Sequence, residues 1–208
     1  MTNTKIIDAL ELIKASMVKQ DYFQALQEIE KSLASARADY SKEMAKKSGQ
    51  ANVLKGFKAI LKSSDMDIAS GLLKLPDGLF AACNGYMILA GINSFDLPMA
   101  NDNGQSKIDS LLQAMVIPDY VKKLENVPTL AALSIFIKAE KARQKAEKPK
   151  LKPFVIYKFE DIWVDAEKFY IMLEACGDPL YYDIKHSDNK VYFDNGGIQG
   201  LLMGVRKS

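Results

Sequence analysis

Residues 154–206 read FVIYKFEDIWVDAEKFYIMLEACGDPLYYDIKHSDNKVYFDNGGIQGLLMGVR. The order is strand, helix, hairpin, strand. FVIYKFE (154–160) is rich in β-branched and aromatic residues and predicts a strand. Residues 164–176 (VDAEKFYIMLEAC) predict a helix, with Asp165 placed to cap it and Gly177 to stop it. PLYYDIKH and KVYFDN predict two strands around Ser187-Asp188-Asn189. IQGLLMGVR (198–206) adds a last strand after Gly196-Gly197. The stretch holds almost no polar constellation fit for chemistry, which points to a scaffold rather than an enzyme.

The rest of the chain is organised around helices. Residues 4–48 are periodic: Ile6, Leu10, Ile13 and Met17 form one apolar series, and Tyr22, Leu26, Ile29, Leu33, Ala36, Tyr40 and Met44 form another. The stripe changes phase near residues 18–22, where Asp21 is placed to cap a second helix. A helical hairpin is the preferred reading, and one long helix with a stutter is the alternative. Ser48-Gly49 closes the segment. Residues 50–64 predict a helix with Val53, Leu54, Phe57, Ile60 and Leu61 on one face and Lys55, Lys58 and Lys62 on the other. Residues 71–91 predict a hairpin around Pro76-Asp77-Gly78, with Asn84-Gly85 as a further tight turn. A loop follows over 92–105. Residues 106–125 start as a helix that Pro118 limits. Pro128 opens a helix over 129–147, and KAEKPKLKPF reads as a basic linker. The expected organisation is a helical segment over 1–48, a first unit with its connecting helix and linker over 49–150, and a second unit over 151–208. A weak architectural echo joins the last two, because each runs from a helix into a hairpin.

Composition narrows the function classes. The chain has 208 residues, 48% hydrophobic and 26% charged, enough apolar material for one core or two small ones. A net charge of +2 carries no global signature for nucleic acid. Two distant thiols, Cys83 and Cys176, suit a reducing compartment. The N-terminus lacks a basic region followed by an apolar run, and no apolar run approaches roughly 18 residues. The expectation is a cytoplasmic protein without a membrane span.

Several segments, taken in order, resemble the DNA sliding clamp family, in particular the clamp-like proteins of phages and mobile elements. The helix from Asp165 to Ala175 is similar to the clamp helix that follows the pattern N/D-A-x-x with two hydrophobic residues and a later leucine. Gly200 to Arg206 (GLLMGVR) resembles the closing clamp strand, in which a proline stands where this chain has Gly204. Val127 to Lys152 resembles the helix and lysine-rich linker before that unit. Phe80 to Ile88 (FAACNGYMI) looks like the clamp strand V-A-T-D-G-H-R-L, with Asn84-Gly85-Tyr86-Met87 in place of Asp-Gly-His-Arg. The arginine that lies near DNA in the family is therefore absent. The likeness covers roughly residues 50–206 and leaves the N-terminal helices without a counterpart.

The resemblance implies an α+β fold of clamp-like strand–helix–strand units, here with an N-terminal helical extension. It implies a non-enzymatic processivity factor that self-associates around double-stranded DNA and tethers a polymerase or other replication or repair protein. It places Lys55, Lys58, Lys62 and Lys168 toward DNA, where a few cations give loose, salt-sensitive attraction. It places Leu202, Met203 and Val205 at an apolar pocket for client peptides. The plainer readings stand beside these: solvated helix faces for the lysines and core strands for the apolar residues. Lys138 to Lys152 read as a solvated helix end and linker interrupted by Glu140 and Glu147. Trp163, Tyr181, Tyr182 and Tyr192 read as strand packing. A protein–protein interaction module that uses the fold without encircling DNA is the alternative function.

Catalytic and metal chemistry find little support. His186 beside Ser187 and Asp188 is sequence order without geometry. One histidine and two distant cysteines do not make a zinc site. Asp77, Asp178, Asp183, Asp188 and Asp194 fall in turns or at strand ends. No Walker loop or dinucleotide fingerprint occurs, so no cofactor is expected. The N-terminal segment reads as an oligomerisation or docking element, or as a helical pair packed on its own sheet.

Overall fold

A computed structural model describes residues 10–15, 17, 22–63, 71–92, 95–117, 122–123, 126–159, 162–177, 181–182 and 190–205. The chain divides into two compact units, Met1–Ala51 and Asn52–Ser208.

The first unit contains α1 (Tyr22–Lys47), and residues 10–15 and 17 are helical as well. The phase change over 18–21, including the Asp21 cap, lies outside the described residues. The end of α1 follows from Gly49. Its φ of +73° suits a residue without Cβ, and it lets Gln50 N donate to Ala45 O and Gly49 N donate to Lys46 O. An amphipathic helix ordinarily turns its apolar stripe inward. In α1 the covered positions are the small Ala25, Ser41 and Ala45, while Tyr22, Leu26, Ile29, Leu33 and Tyr40 are exposed.

Helix α2 (Ala51–Lys62) leads into the second unit. There follow β1 (Leu73–Lys74), β2 (Phe80–Cys83), β3 (Met87–Gly91), α3 (Asp102–Gln105), α4 (Ile108–Met115), β4 (Lys122–Lys123) and α5 (Leu130–Glu147). The chain ends with β5 (Ile156–Phe159), β6 (Ile162–Asp165), α6 (Ala166–Cys176), β7 (Tyr181–Tyr182), β8 (Lys190–Asp194) and β9 (Ile198–Met203). The fold is thus a mixture of helix and sheet. No helix among the described residues is long and apolar enough to cross a membrane.

An antiparallel sheet runs in the order β1-β2-β3-β9-β8-β7-β4, and β5 pairs with β6 separately. Strands from either side of the basic linker near residue 150 therefore share one sheet. Six of its strands read the same from either end: β1-β2-β3 follow α2, β7-β8-β9 follow α6, and β3 pairs antiparallel with β9 at the middle. The turns repeat as well. Between β2 and β3, Asn84 N donates to Met87 O and its Oδ1 accepts from Met87 N, with Gly85 at φ +84°. Between β8 and β9, Asn195 N donates to Ile198 O and its Oδ1 accepts from Ile198 N, with Gly196 at φ +84°. Each asparagine amide also reaches the end of its own unit's helix. Asn84 Nδ2 donates to Ser63 Oγ at 2.7 Å, and Asn195 Nδ2 donates to Cys176 O at 2.8 Å. The architectural echo of the sequence is an α-β-β-β unit occurring twice.

Side-chain alternation divides the core. Leu89 and Gly200 are cross-strand partners on the face that α2 and α6 cover. Gly200 leaves room for Met172 and Cys176, and Gly91 leaves room for Val53 and Phe57. On the opposite face Leu73, Ala81, Ala90, Tyr192 and Leu201 pack with Leu111 of α4. An aromatic series, Phe136–Tyr157–Phe169–Phe193, links α5 through β5 and α6 to β8, with ring centroids 5.1 to 6.4 Å apart.

Two predicted boundaries shift. The helix expected from residue 164 begins at Ala166, because Ile162–Asp165 pairs with β5 first. The last strand, expected through residue 206, leaves the sheet after Met203, and Val205 N donates instead to Trp163 O at 2.7 Å.

Candidate functional site

A groove of about 610 Å³ opens where the C-terminal strand ends, lined by Gly85, Tyr86, Phe154, Asp165, Lys168, Met203, Gly204 and Val205. Each wall has a local cause. Tyr86 sits on the Asn84-Gly85 turn, where Asn84 Oδ1 also accepts from Tyr86 N at 3.1 Å. Asn84 is buried, so the turn is set from within the core. Tyr86 O accepts from Met203 N at 2.8 Å, which extends the β3–β9 ladder to the rim of the groove. Phe154 is held by Gln144 of α5, whose amide donates to Phe154 O at 3.0 Å and accepts from Phe154 N at 2.9 Å.

The polar wall belongs to the start of α6. Asp165 caps it, accepting from Glu167 N at 3.0 Å and Lys168 N at 3.2 Å. The same carboxylate binds Lys168 Nζ, which lies 5.1 Å from the centroid of the Tyr86 ring. Asp165 offsets the Lys168 charge, and the remaining walls are Tyr86, Phe154, Met203 and Val205. Tyr86 and Phe154 are 63% and 51% exposed, large values for aromatic side chains at a groove mouth. Such a site suits an apolar or aromatic ligand with one polar group.

The expected site residues divide. Met203 and Val205 line the groove, whereas Leu202 is fully buried, paired with Met87 and Val191 in the sheet. Lys55, Lys58 and Lys62 share a face of α2. Lys55 Nζ lies 3.0 Å from Glu174 of α6, Lys58 is half-buried and Lys62 is exposed. Lys168 is not part of that stripe; it is a groove residue. Nothing in the sequence marks Gly85, Tyr86, Phe154 and Asp165 as a binding site. The Asn-Gly turn and the cap at Asp165 are legible locally, but no local signal joins them.

Other candidates stay apart. His186, Ser187, Asp188, Asp178, Asp183 and Arg206 lie outside the described residues. Asp77 and Asp194 accept from the backbone N of Leu79 and Gly196, as turn residues do. Burial pushes the Cys83 thiol up and the Cys176 thiol up to about 12, so neither is a ready thiolate at neutral pH. Among the described residues no group of three or more metal-ligating side chains occurs. Tyr192 is a core residue, and Trp163 carries Lys158 Nζ 5.4 Å from its ring centroid. Comparison of the chain with protein-family models, with curated proteins and with solved structures gives no match.

Proposed function

We propose that this chain is a non-enzymatic protein of the sliding-clamp type, which associates around double-stranded DNA and holds an apolar peptide of a replication or repair protein in the groove beside Tyr86 and Met203. The doubled α-β-β-β unit, with α2 and α6 on one face of a shared sheet, carries this reading. The resemblance of residues 50–206 implies repeated strand–helix–strand units. The repetition of a helix with its strands supports the reading, although each unit here begins with its helix. Met203 and Val205 at the groove support the client-peptide half of the proposal. Lys58 and Lys62 are the cations on α2 best suited to phosphate, since Lys55 is shared with Glu174.

An interaction module that never encircles DNA is the second reading. Lys168, one of four candidate DNA contacts, favours it by serving the groove instead. Retention on primed circular DNA separates the two. A clamp stays on circles, slides off once they are cut, and weakens as salt rises. Indifference to closed and cut DNA would reject the clamp and leave the peptide groove as the working surface.

A further inference from the structure

Helix α1 exposes what a helix normally hides. Tyr22, Leu26, Ile29, Leu33 and Tyr40, 43 to 66% exposed, line one stripe, and Phe23, 72% exposed, flanks it. We propose that this stripe binds the same stripe of a second copy of the chain, the two α1 helices lying antiparallel with Leu33 at the two-fold axis.

The pattern of the helix argues for a second copy in this orientation. Residues equally far either side of Leu33 come level in an antiparallel pair. Leu26 then meets Tyr40 of the second copy, and Leu33 meets its own counterpart. Glu30 and Arg37, both exposed, come within one residue of level, about 1.5 Å along the axis, and face each other twice. Phe23 meets Met44 in the same way. A parallel pair would instead set Glu30 beside Ala25 and Arg37 beside Ser32 of the second copy, and would lose both charge pairs. This register pairs Leu26 with Tyr40 and Glu30 with Arg37, and it sets Ile29 level with the aliphatic stem of Arg37.

The area is sufficient. Six side chains about half exposed, at roughly 200 Å² each, offer about 600 Å² per copy and about 1,200 Å² for the pair, the lower range of a specific interface. The sheet offers less. Leu72, beside β1, already exchanges backbone hydrogen bonds with Pro98 and Ala100 at 2.7 and 2.8 Å. At the other edge β4 is two residues long and both are lysines, a composition that discourages edge pairing.

Light scattering of the full chain across a concentration series tests the proposal. The expected mass is twice the 23.1 kDa of one chain. Leu33→Asp sets two carboxylates at the axis and is expected to weaken the dimer at least ~10-fold. Glu30→Arg alone and Arg37→Glu alone also weaken it, and the double variant restores it. That rescue rules out misfolding as the cause. Under oxidation, Leu26→Cys and Tyr40→Cys chains mixed together form a mixed disulfide. A monomer at all concentrations, a dimer that survives Leu33→Asp, or a Leu26→Cys chain that crosslinks only to another Leu26→Cys chain would each overturn the proposal. It does not rest on the clamp reading. A dimer that ignores circular DNA rejects only the clamp, and DNA retention unaffected by Leu33→Asp rejects only this interface.

Discussion

Asn84 and Asn195 hold equivalent places in the two halves of the sheet: each closes a turn before a central strand and ties that turn to the end of a helix, at Ser63 Oγ and Cys176 O. Replacing either by Ala removes both the acceptor for the turn N–H groups and the donor to the helix. Asn84 is buried, so Asn84→Ala is expected to cost about 2–3 kcal/mol. Asn195→Ala is expected to cost about 1–2 kcal/mol, because its turn is more exposed. Asn84→Asp keeps the acceptors for Tyr86 N and Met87 N and should lose less than Asn84→Ala. Urea unfolding of the three variants measures this. If Asn84→Ala shifts the stability by less than about 0.5 kcal/mol, the asparagine does not hold the turn.

The two helices meet at Gly56. A Cβ there would stand 2.9 Å from Ala175 Cβ and 2.6 Å from Leu89 Cδ2. Ala gains about 1 kcal/mol of helix propensity over Gly. Leu89 can rotate, but the Ala175 methyl cannot, so overpacking of about 1–3 kcal/mol should dominate. Gly56→Ala is therefore expected to lower the thermal midpoint despite the better helix former. A raised midpoint would mean that α2 and α6 separate freely.

Asp165 has two duties that one pair of variants separates. Asp165→Ala removes the cap of α6 and the partner of Lys168, for an expected loss of about 1–2 kcal/mol. Asn caps a helix about as well as Asp, so Asp165→Asn should lose less stability than Asp165→Ala. It nevertheless leaves Lys168 in the groove without its counter-charge. Binding of an acidic, aromatic peptide, read by fluorescence anisotropy, should then tighten in Asp165→Asn. Unchanged binding would mean that Lys168 does not face the ligand.

What is legible in the sequence is local. The turns at Pro76-Asp77-Gly78 and Asn84-Gly85, the stop at Gly177 and the cap at Asp165 all act within a few residues, and each is found at its expected place. The pairing of Met87 with Leu202 joins strands more than a hundred residues apart, and no local signal specifies it. The groove depends on that pairing, which is why the sequence does not show Tyr86, Phe154 and Lys168 as neighbours. β6 is hidden because Trp163 to Asp165 merges with the helix pattern that follows, and the two-residue β4 is too short to carry a pattern. The stripe of α1 is plain in the sequence. Which of its positions are covered is not, because small residues such as Ala25 and Ala45 give no hydrophobic signal of their own.

Cys176 makes stability fall in alkali. Its thiol lies on the inner side of α6 against Gly200, and burial raises it from an ordinary value of 9.0 to about 12. In the unfolded chain the thiol ionises near 9, while in the folded chain it keeps its proton. Between these values the unfolded state binds fewer protons, so stability is full below pH 9 and is lost as pH rises toward 12. The slope from this one group is at most about 1.4 kcal/mol per pH unit. The comparison is with Cys176→Ala, which removes this thiol alone. That variant should be less stable at about pH 7, from the lost packing, yet show a shallower decline above about pH 9. Parallel curves for the two proteins would mean that the thiol reaches solvent in the folded state.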